Sequence, residues 1–236
     1  MEQLQKKYQE LTFTDDFMFG KVLVNNPEIC RRLLDVYVDD ENGTVYNIEM
    51  QTKVKRELPK RSRYYQGMID MNLIERGAKY KELKLSFVIF ICLKDSFGYG
   101  LPVYRFENIC VQNREILLKD EAIKVFINAD GDLRGLPEDL AAFLQYLKGK
   151  VVENELVQMI DNEVEKVREH KEWEVEYMTL YLRDMENQDI GLEKGLEALV
   201  SSLNEFIKDE DALYRAIIKN EAYKDTPREE VLKYLN

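Results

Sequence analysis

Two short stretches constrain this chain more than any others. Asp35-Val36-Tyr37-Val38 and Val45-Tyr46-Asn47-Ile48-Glu49-Met50-Gln51 alternate with period two, and Asp40-Glu41-Asn42-Gly43 lies between them. The pattern reads as a strand, a tight turn and a strand. A two-residue Asn42-Gly43 turn would set Val36 opposite Glu49 and mix apolar with charged side chains on each face. A three-residue loop, with Gly43 in the left-handed region, sets Asp35 opposite Glu49, Val36 opposite Ile48 and Val38 opposite Tyr46. That register gathers Val36, Val38, Tyr46, Ile48 and Met50 on one face, and burial selects it. The other face carries Asp35, Tyr37, Asn47, Glu49 and Gln51.

The rest of the chain supplies partners for that pair. Thr14 is a plausible N-cap for a helix from Asp15 to Val24, with acids in its first turn. Pro27 opens a second helix that runs to Leu34. A longer helix is expected from Pro59 to near Gly77, then a buried strand over 86–93 and shorter strands at Val103–Phe106 and Ile123–Ile127. From Leu136 onward the pattern is helical, with Leu156, Ile160 and Val164 forming one apolar stripe and Thr226-Pro227-Arg228-Glu229 reading as a capping box. The expected architecture is therefore an α/β core followed by a helical region.

Charge divides the chain where no linker does. Residues 1–150 carry 23 basic and 23 acidic side chains, whereas residues 151–236 carry 11 basic and 22 acidic, so the whole net charge of −11 belongs to the last third. This suggests a domain over 1–150 and an acidic α-helical region over 151–236, suited to a protein partner, to self-association or to packing back on the core. Within the neutral part lies a basic run of Lys53, Lys55, Arg56, Lys60, Arg61 and Arg63. It is either a solvated surface or a set of phosphate contacts. No apolar run reaches the ~18–20 residues of a membrane-spanning helix, and Met1–Lys7 lacks a signal-peptide core, so a cytoplasmic protein is expected.

Residue counts exclude whole chemistries. With His170 as the one histidine, a Ser-His-Asp or Cys-His enzyme and a multi-histidine zinc site are disfavoured. Cys30, Cys92 and Cys110 are widely spaced and odd in number, which indicates neither a disulfide framework nor a cysteine zinc cage. Cys92 ends the apolar run Phe87-Val88-Ile89-Phe90-Ile91 and is expected to be a buried, inert thiol. Carboxylates, amides, lysines or an oxygen-ligated metal remain. Asp35 and Glu49, with the Gln51 amide two residues on, suit a hard divalent cation such as magnesium. Such an ion lowers the pKa of a bound water and polarises a phosphoryl oxygen.

The order of these features, Asp35, then Glu49-Met50-Gln51, then a basic segment and a helix bearing Arg63-Tyr64-Tyr65-Gln66, resembles the PD-(D/E)XK nucleases. It is more closely similar to the Rpn family of recombination-promoting nucleases and transposases. Leu11–Phe19, Leu34–Val38, Tyr46–Gln51, Phe87–Ile91 and Pro102–Asn108 also match, so the likeness covers roughly residues 8–150. It implies a restriction-endonuclease-like core, a mixed sheet with flanking helices, and magnesium-dependent cleavage of DNA linked to recombination or mobile elements. By the same resemblance Asp35, Glu49 and Gln51 are the catalytic positions, and Asp35 and Glu49 bind magnesium or another divalent ion. Asp16 is either a further ligand or orienting group, or an acid that favours its helix's first turn. Gln51 stands where many relatives have lysine and can only orient water or substrate by hydrogen bonds. Lys53, Lys55, Arg61, Arg63 and Gln66 are the implied DNA contacts, and Tyr65 is as readily a packing residue. Double-strand cleavage with one site per chain would favour a homodimer.

The chain departs from the family in one respect. Pro27–Leu34 runs straight into Asp35–Val38, leaving no residues for the first strand of the core sheet. The result is either an exposed sheet edge or an aspartate strand extended backwards by Leu33-Leu34. Two functional readings follow: an active metal-dependent endonuclease, or a shortened, inactive nuclease fold acting as a DNA- or protein-binding module.

Overall fold

Every residue of the strand Ser86–Cys92 is buried, and the sheet is built around it. The computed structural model describes residues 7–34, 43–74 and 79–235. The expected strand at Asp35–Val38 and the residues Asp40, Glu41 and Asn42 lie outside these. Gly43 has φ of 103°, the positive region that the three-residue loop requires.

Ahead of the sheet come helices α1 (Asp16–Asn25) and α2 (Pro27–Leu34). β1 (Val45–Gln51) is followed by α3 (Leu58–Leu73), β2 (Ser86–Cys92), β3 (Val103–Phe106), β4 (Ala122–Asn128), α4 (Glu138–Leu147) and α5 (Glu155–Glu169). The sheet order is β1-β2-β4-β3, with β1 parallel to β2, β2 parallel to β4, and β3 antiparallel to β4. A parallel pair needs a long crossover, and α3 supplies the one from β1 to β2. Strands with both faces covered read as continuous apolar runs, which is why β2 does not alternate. This is the mixed sheet with flanking helices that the sequence implies. Among the described residues no strand precedes β1, and α2 keeps Leu33 and Leu34 helical rather than ceding them to a strand.

The two sheet faces have separate contents. Val88, Phe90 and Cys92 of β2, Phe126 of β4 and Tyr104 of β3 form one apolar cluster with Leu58 and Ile69 of α3, and Val45, Tyr65 and Phe97 pack against it. Phe87, Ile89, Ile91, Ile123, Val125 and Ile127 fill the opposite face and are all buried. Burial pushes the Cys92 thiol up to about 11, so it is the inert core cysteine that its apolar run predicts. Elsewhere Phe13 meets Phe19 and Phe143 edge-on, with centroids 5.3 and 5.8 Å apart. The Arg168 guanidinium donates to the Leu11 carbonyl at 2.7 Å, and Tyr8 donates to the Val167 carbonyl, tying the chain ahead of α1 to α5.

Some boundaries differ from expectation. Asp15, not Thr14, is the residue before α1, and its carboxylate turns back to accept from the Thr12 amide at 2.7 Å instead of capping the helix. α3 stops at Leu73 because Ile74 takes an extended conformation (φ −110°, ψ 119°).

The described residues divide into two compact units between Lys171 and Glu172, so this boundary lies beyond the change in charge at 150/151, and α5 belongs with the sheet. The second unit holds most of α6 (Lys171–Asn204), with α7 (Glu210–Ile217) and α8 (Arg228–Leu232). Leu196, Val200, Leu213, Ile217 and Val231 make its core. The expected capping box is not formed: α8 begins at Arg228 after Pro227, and no side chain caps it. Among the described residues no helix is long and apolar enough to cross a membrane.

Two stability predictions follow from the turns at the strand ends. A Cβ on Gly131 would fall 2.5 Å from Pro102 Cα and 2.6 Å from its nitrogen, both rigid backbone. Gly131→Ala is expected to lower unfolding free energy by about 1–3 kcal/mol, read from urea unfolding; an unchanged midpoint would contradict this packing. After β2, Asp95 accepts from the amides of Phe97 (2.9 Å) and Gly100 (2.8 Å) and from the Tyr104 hydroxyl (2.9 Å). Burial alone would raise its carboxyl, but these bonds together hold it below the usual range. A depressed folded pKa gives stability above the unfolded value of about 3.9 that is lost as pH falls through the lower folded value. Asp95→Asn should therefore destabilise at pH 7, and its deficit should shrink below about pH 4; a deficit constant from pH 7 to pH 3 would refute the assignment.

Candidate active site on the first strand

Alternate residues of a strand share a side, so the register with β2 decides where the polar row of β1 points. Asn47, Glu49 and Gln51 pair with Val88, Phe90 and Cys92, which places them on the sheet face covered by α3. Tyr46, Ile48 and Met50 go to the other face, where Tyr46 stacks on Phe87 with centroids 5.7 Å apart. The apolar and polar sets of β1 are thus separated as its period predicts. The polar set is not fully solvated, however: Gln51 is 5% exposed and Glu49 is half-buried.

Arg61 and Tyr65 stand one turn apart on α3 and meet above this row. The guanidinium donates through Nη1 to Gln51 Oε1 at 2.8 Å and through Nη2 to the Tyr65 hydroxyl at 3.0 Å. Nη2 also lies 3.6 Å from Glu49 Oε2. The guanidinium carbon is 5.5 Å from the ring centroids of both Tyr65 and Phe90, within cation–π range. Beneath it Tyr65, Phe90 and Phe126 form a stack, at 6.0 Å and 5.4 Å between successive centroids. At its other end the Gln51 amide donates from Nε2 to the Lys53 carbonyl at 2.7 Å. Both ends of that amide are therefore bound by protein groups.

Glu49 is poised between opposing influences. Burial pushes its carboxyl up; Arg61 and a hydrogen bond from the Asn47 side chain pull it down; Asp16 pushes it up again. The net shift is upward, which marks a carboxylate whose charge is incompletely matched. Asp16, in the first turn of α1, thus lies within electrostatic reach of both Glu49 and Arg61. Asn47 Oδ1 is buried and has no hydrogen-bond partner among the described residues. A bare buried amide oxygen beside a carboxylate is a donor set that fits a hard divalent cation, which takes oxygen ligands. Among the described residues no three His, Cys, Asp or Glu side chains converge. Asp35, the other expected carboxylate, lies outside them.

The structure sorts the remaining sequence candidates. Lys53, Lys55 and Arg63 are exposed, as phosphate contacts must be. Gln66 is not: it is 7% exposed, and its Nε2 donates to Ser86 Oγ at 2.6 Å at the start of β2. It faces inward because it is on the side of α3 that carries Ser62 and Ile69 to the sheet, so its amide joins helix to strand and is not available at the surface. Asn47 belongs to the matching stretch Tyr46–Gln51, but the resemblance gives it no role; its buried oxygen, without a partner among the described residues, singles it out. The spacing of Arg61 and Tyr65 signals a helix-surface pair; nothing in it signals the bond to Gln51.

A family model described as PD-(D/E)XK nuclease family transposase matches residues 4–128, a span that ends with β4 and includes Asp16, Asn47, Glu49, Gln51 and Arg61. No curated protein and no solved structure matches the chain.

The inward placement of Gln66 has a measurable effect. Gln66→Ala removes the 2.6 Å bond that the buried Ser86 hydroxyl accepts, leaving it the long 3.4 Å bond to the Glu121 carbonyl, and should lower unfolding free energy by about 1–3 kcal/mol in urea titration. Unchanged stability together with weakened DNA binding would show that the residue acts at the surface instead.

Proposed function

Because the chain belongs to the PD-(D/E)XK nuclease family transposases, we propose that it is a divalent-metal-dependent DNA endonuclease acting in recombination or the movement of DNA elements. The single observation that supports this best is the row Asn47-Glu49-Gln51 held under Arg61 beside the apolar cluster of Val88, Phe90 and Phe126. A polar row in such a place is costly unless its groups are bonded or used, and Asn47 Oδ1 is not bonded among the described residues.

The reaction consumes one water. Its oxygen bonds to phosphorus, the P–O bond to one sugar breaks, and the proton given up by the water ends on the leaving alcohol. Glu49 and Asp35, with Asp16 and the Asn47 oxygen, would hold the cation, with magnesium the expected ion. When bound, it supplies Lewis acidity and eases deprotonation of the attacking water. Lys53, Lys55 and Arg63 bind the DNA backbone, an attachment that positions the duplex without reading its sequence. Cleavage belongs to the unit that carries the sheet. The acidic helices from Glu172 onward repel phosphate and are left for protein contacts, and cutting both strands with one site per chain calls for two copies.

Nicking of supercoiled plasmid tests this reading. Wild-type protein with magnesium should relax the plasmid, chelator should stop it, and Asp35→Ala and Glu49→Gln should each slow it by about a hundredfold or more. Nicking that survives both substitutions at the wild-type rate would remove the assigned site.

A further inference from the structure

We propose that Arg61 is the catalytic cation of this site, donating hydrogen bonds to the scissile phosphate, and that Gln51 is the residue that positions it. The inference rests on the nuclease reading above and assigns a role that reading leaves empty. A water-orienting Gln51 would need to face the substrate, but its side chain is buried, and the bonds that orient it run to protein groups: its oxygen accepts from Arg61 and its nitrogen donates to the Lys53 carbonyl. Gln51 therefore acts through Arg61. The guanidinium in turn is fixed from three sides, by Gln51, by the Tyr65 hydroxyl, and by the rings of Tyr65 and Phe90. A guanidinium has five N–H donors, and the two hydrogen bonds it makes among the described residues occupy two of them. The side chain is 31% exposed, so donors remain accessible.

This arrangement differs from that of a backbone-binding arginine. Lys53, Lys55 and Arg63 stand exposed, where each neutralises a phosphate and contributes to salt-sensitive affinity. Arg61 instead lies 3.6 Å from Glu49, the carboxylate on which the site is built. A planar, permanently charged fork is suited to two oxygens of one phosphate. Preorganised beside the reacting group, it stabilises the charge that grows on phosphoryl oxygens as water attacks, without reorganising at that moment. It forms no covalent bond and transfers no proton, since its pKa is too high for either.

The test separates chemistry from binding. With duplex DNA saturating and magnesium present, Arg61→Gln should cut single-turnover cleavage about a hundredfold, while Kd measured in calcium changes by less than about threefold. Arg63→Gln should instead raise Kd and flatten its salt dependence. Arg61→Lys should keep more activity than Arg61→Gln, and adding Gln51→Lys to Arg61→Gln should restore part of the lost rate by returning a cation from β1. If Arg61→Gln merely raises Kd as Arg63→Gln does, or if the double variant is no faster than Arg61→Gln, the proposal is overturned. A second readout is independent of turnover: the Arg61 Nε resonance in nitrogen-15 NMR should shift when duplex binds wild-type protein in calcium. No shift overturns the contact. A shift in a protein that never cleaves leaves the contact standing and removes the nuclease reading.

Discussion

The parallel register of β1 on β2 decides what kind of site this fold has. With Glu49 opposite Phe90, the acid, its neighbouring amides and the helix that covers them lie on one side of the sheet. Sliding β1 by one residue would carry Glu49 to the side of Ile89 and Ile91, and Tyr46, Ile48 and Met50 would take its place under α3. An unpaired carboxylate in such surroundings is far more costly than any single apolar contact it would displace. Register, burial and site therefore enforce one another, and the crossover through α3 makes this possible by bringing Arg61 over the strand that precedes it.

The electrostatics of the site depend on that same helix. A half-buried acid is held between a cation on α3 and a second acid on α1, while aromatic rings below exclude water from one side of the guanidinium. In such surroundings charges interact more strongly than they would in bulk water. Arg61 differs from the neighbouring lysines and Arg63 because its geometry is over-determined: losing Gln51, Tyr65 or Phe90 would each free it in a different direction.

Much of this could be read along the chain, where a property repeats with the period of the backbone. Alternation in Val45–Gln51, the unbroken apolar run at Phe87–Cys92, the helix opened by Pro27 and the stripe of Leu156, Ile160 and Val164 all depend on local spacing, and each is found. What spacing does not encode is which distant group a polar side chain will choose. Gln66 looks like a surface amide until β2 brings Ser86 against it, and Gln51 looks free until α3 folds back over its strand. Caps differ for a related reason: the Thr14 hydroxyl pairs with that of Thr12, Asp15 turns its carboxylate to the Thr12 amide, and no side chain caps the helix after Pro227. The family resemblance singles out Glu49 and Gln51 through their motif, but not the bond that joins Gln51 to Arg61. Asp35, on which the motif also relies, lies beyond the described residues.

Cys92 ends the central strand, in register with Gln51 on one side and Asn128 on the other. Its thiol is fully enclosed and stays protonated at neutral pH. A thiol-modifying reagent can reach it only when the strands around it part, and those are the strands that carry the site. The residue is thus a built-in clock for sheet opening: the rate at which it is labelled reports how often the platform beneath Glu49 and Arg61 comes apart.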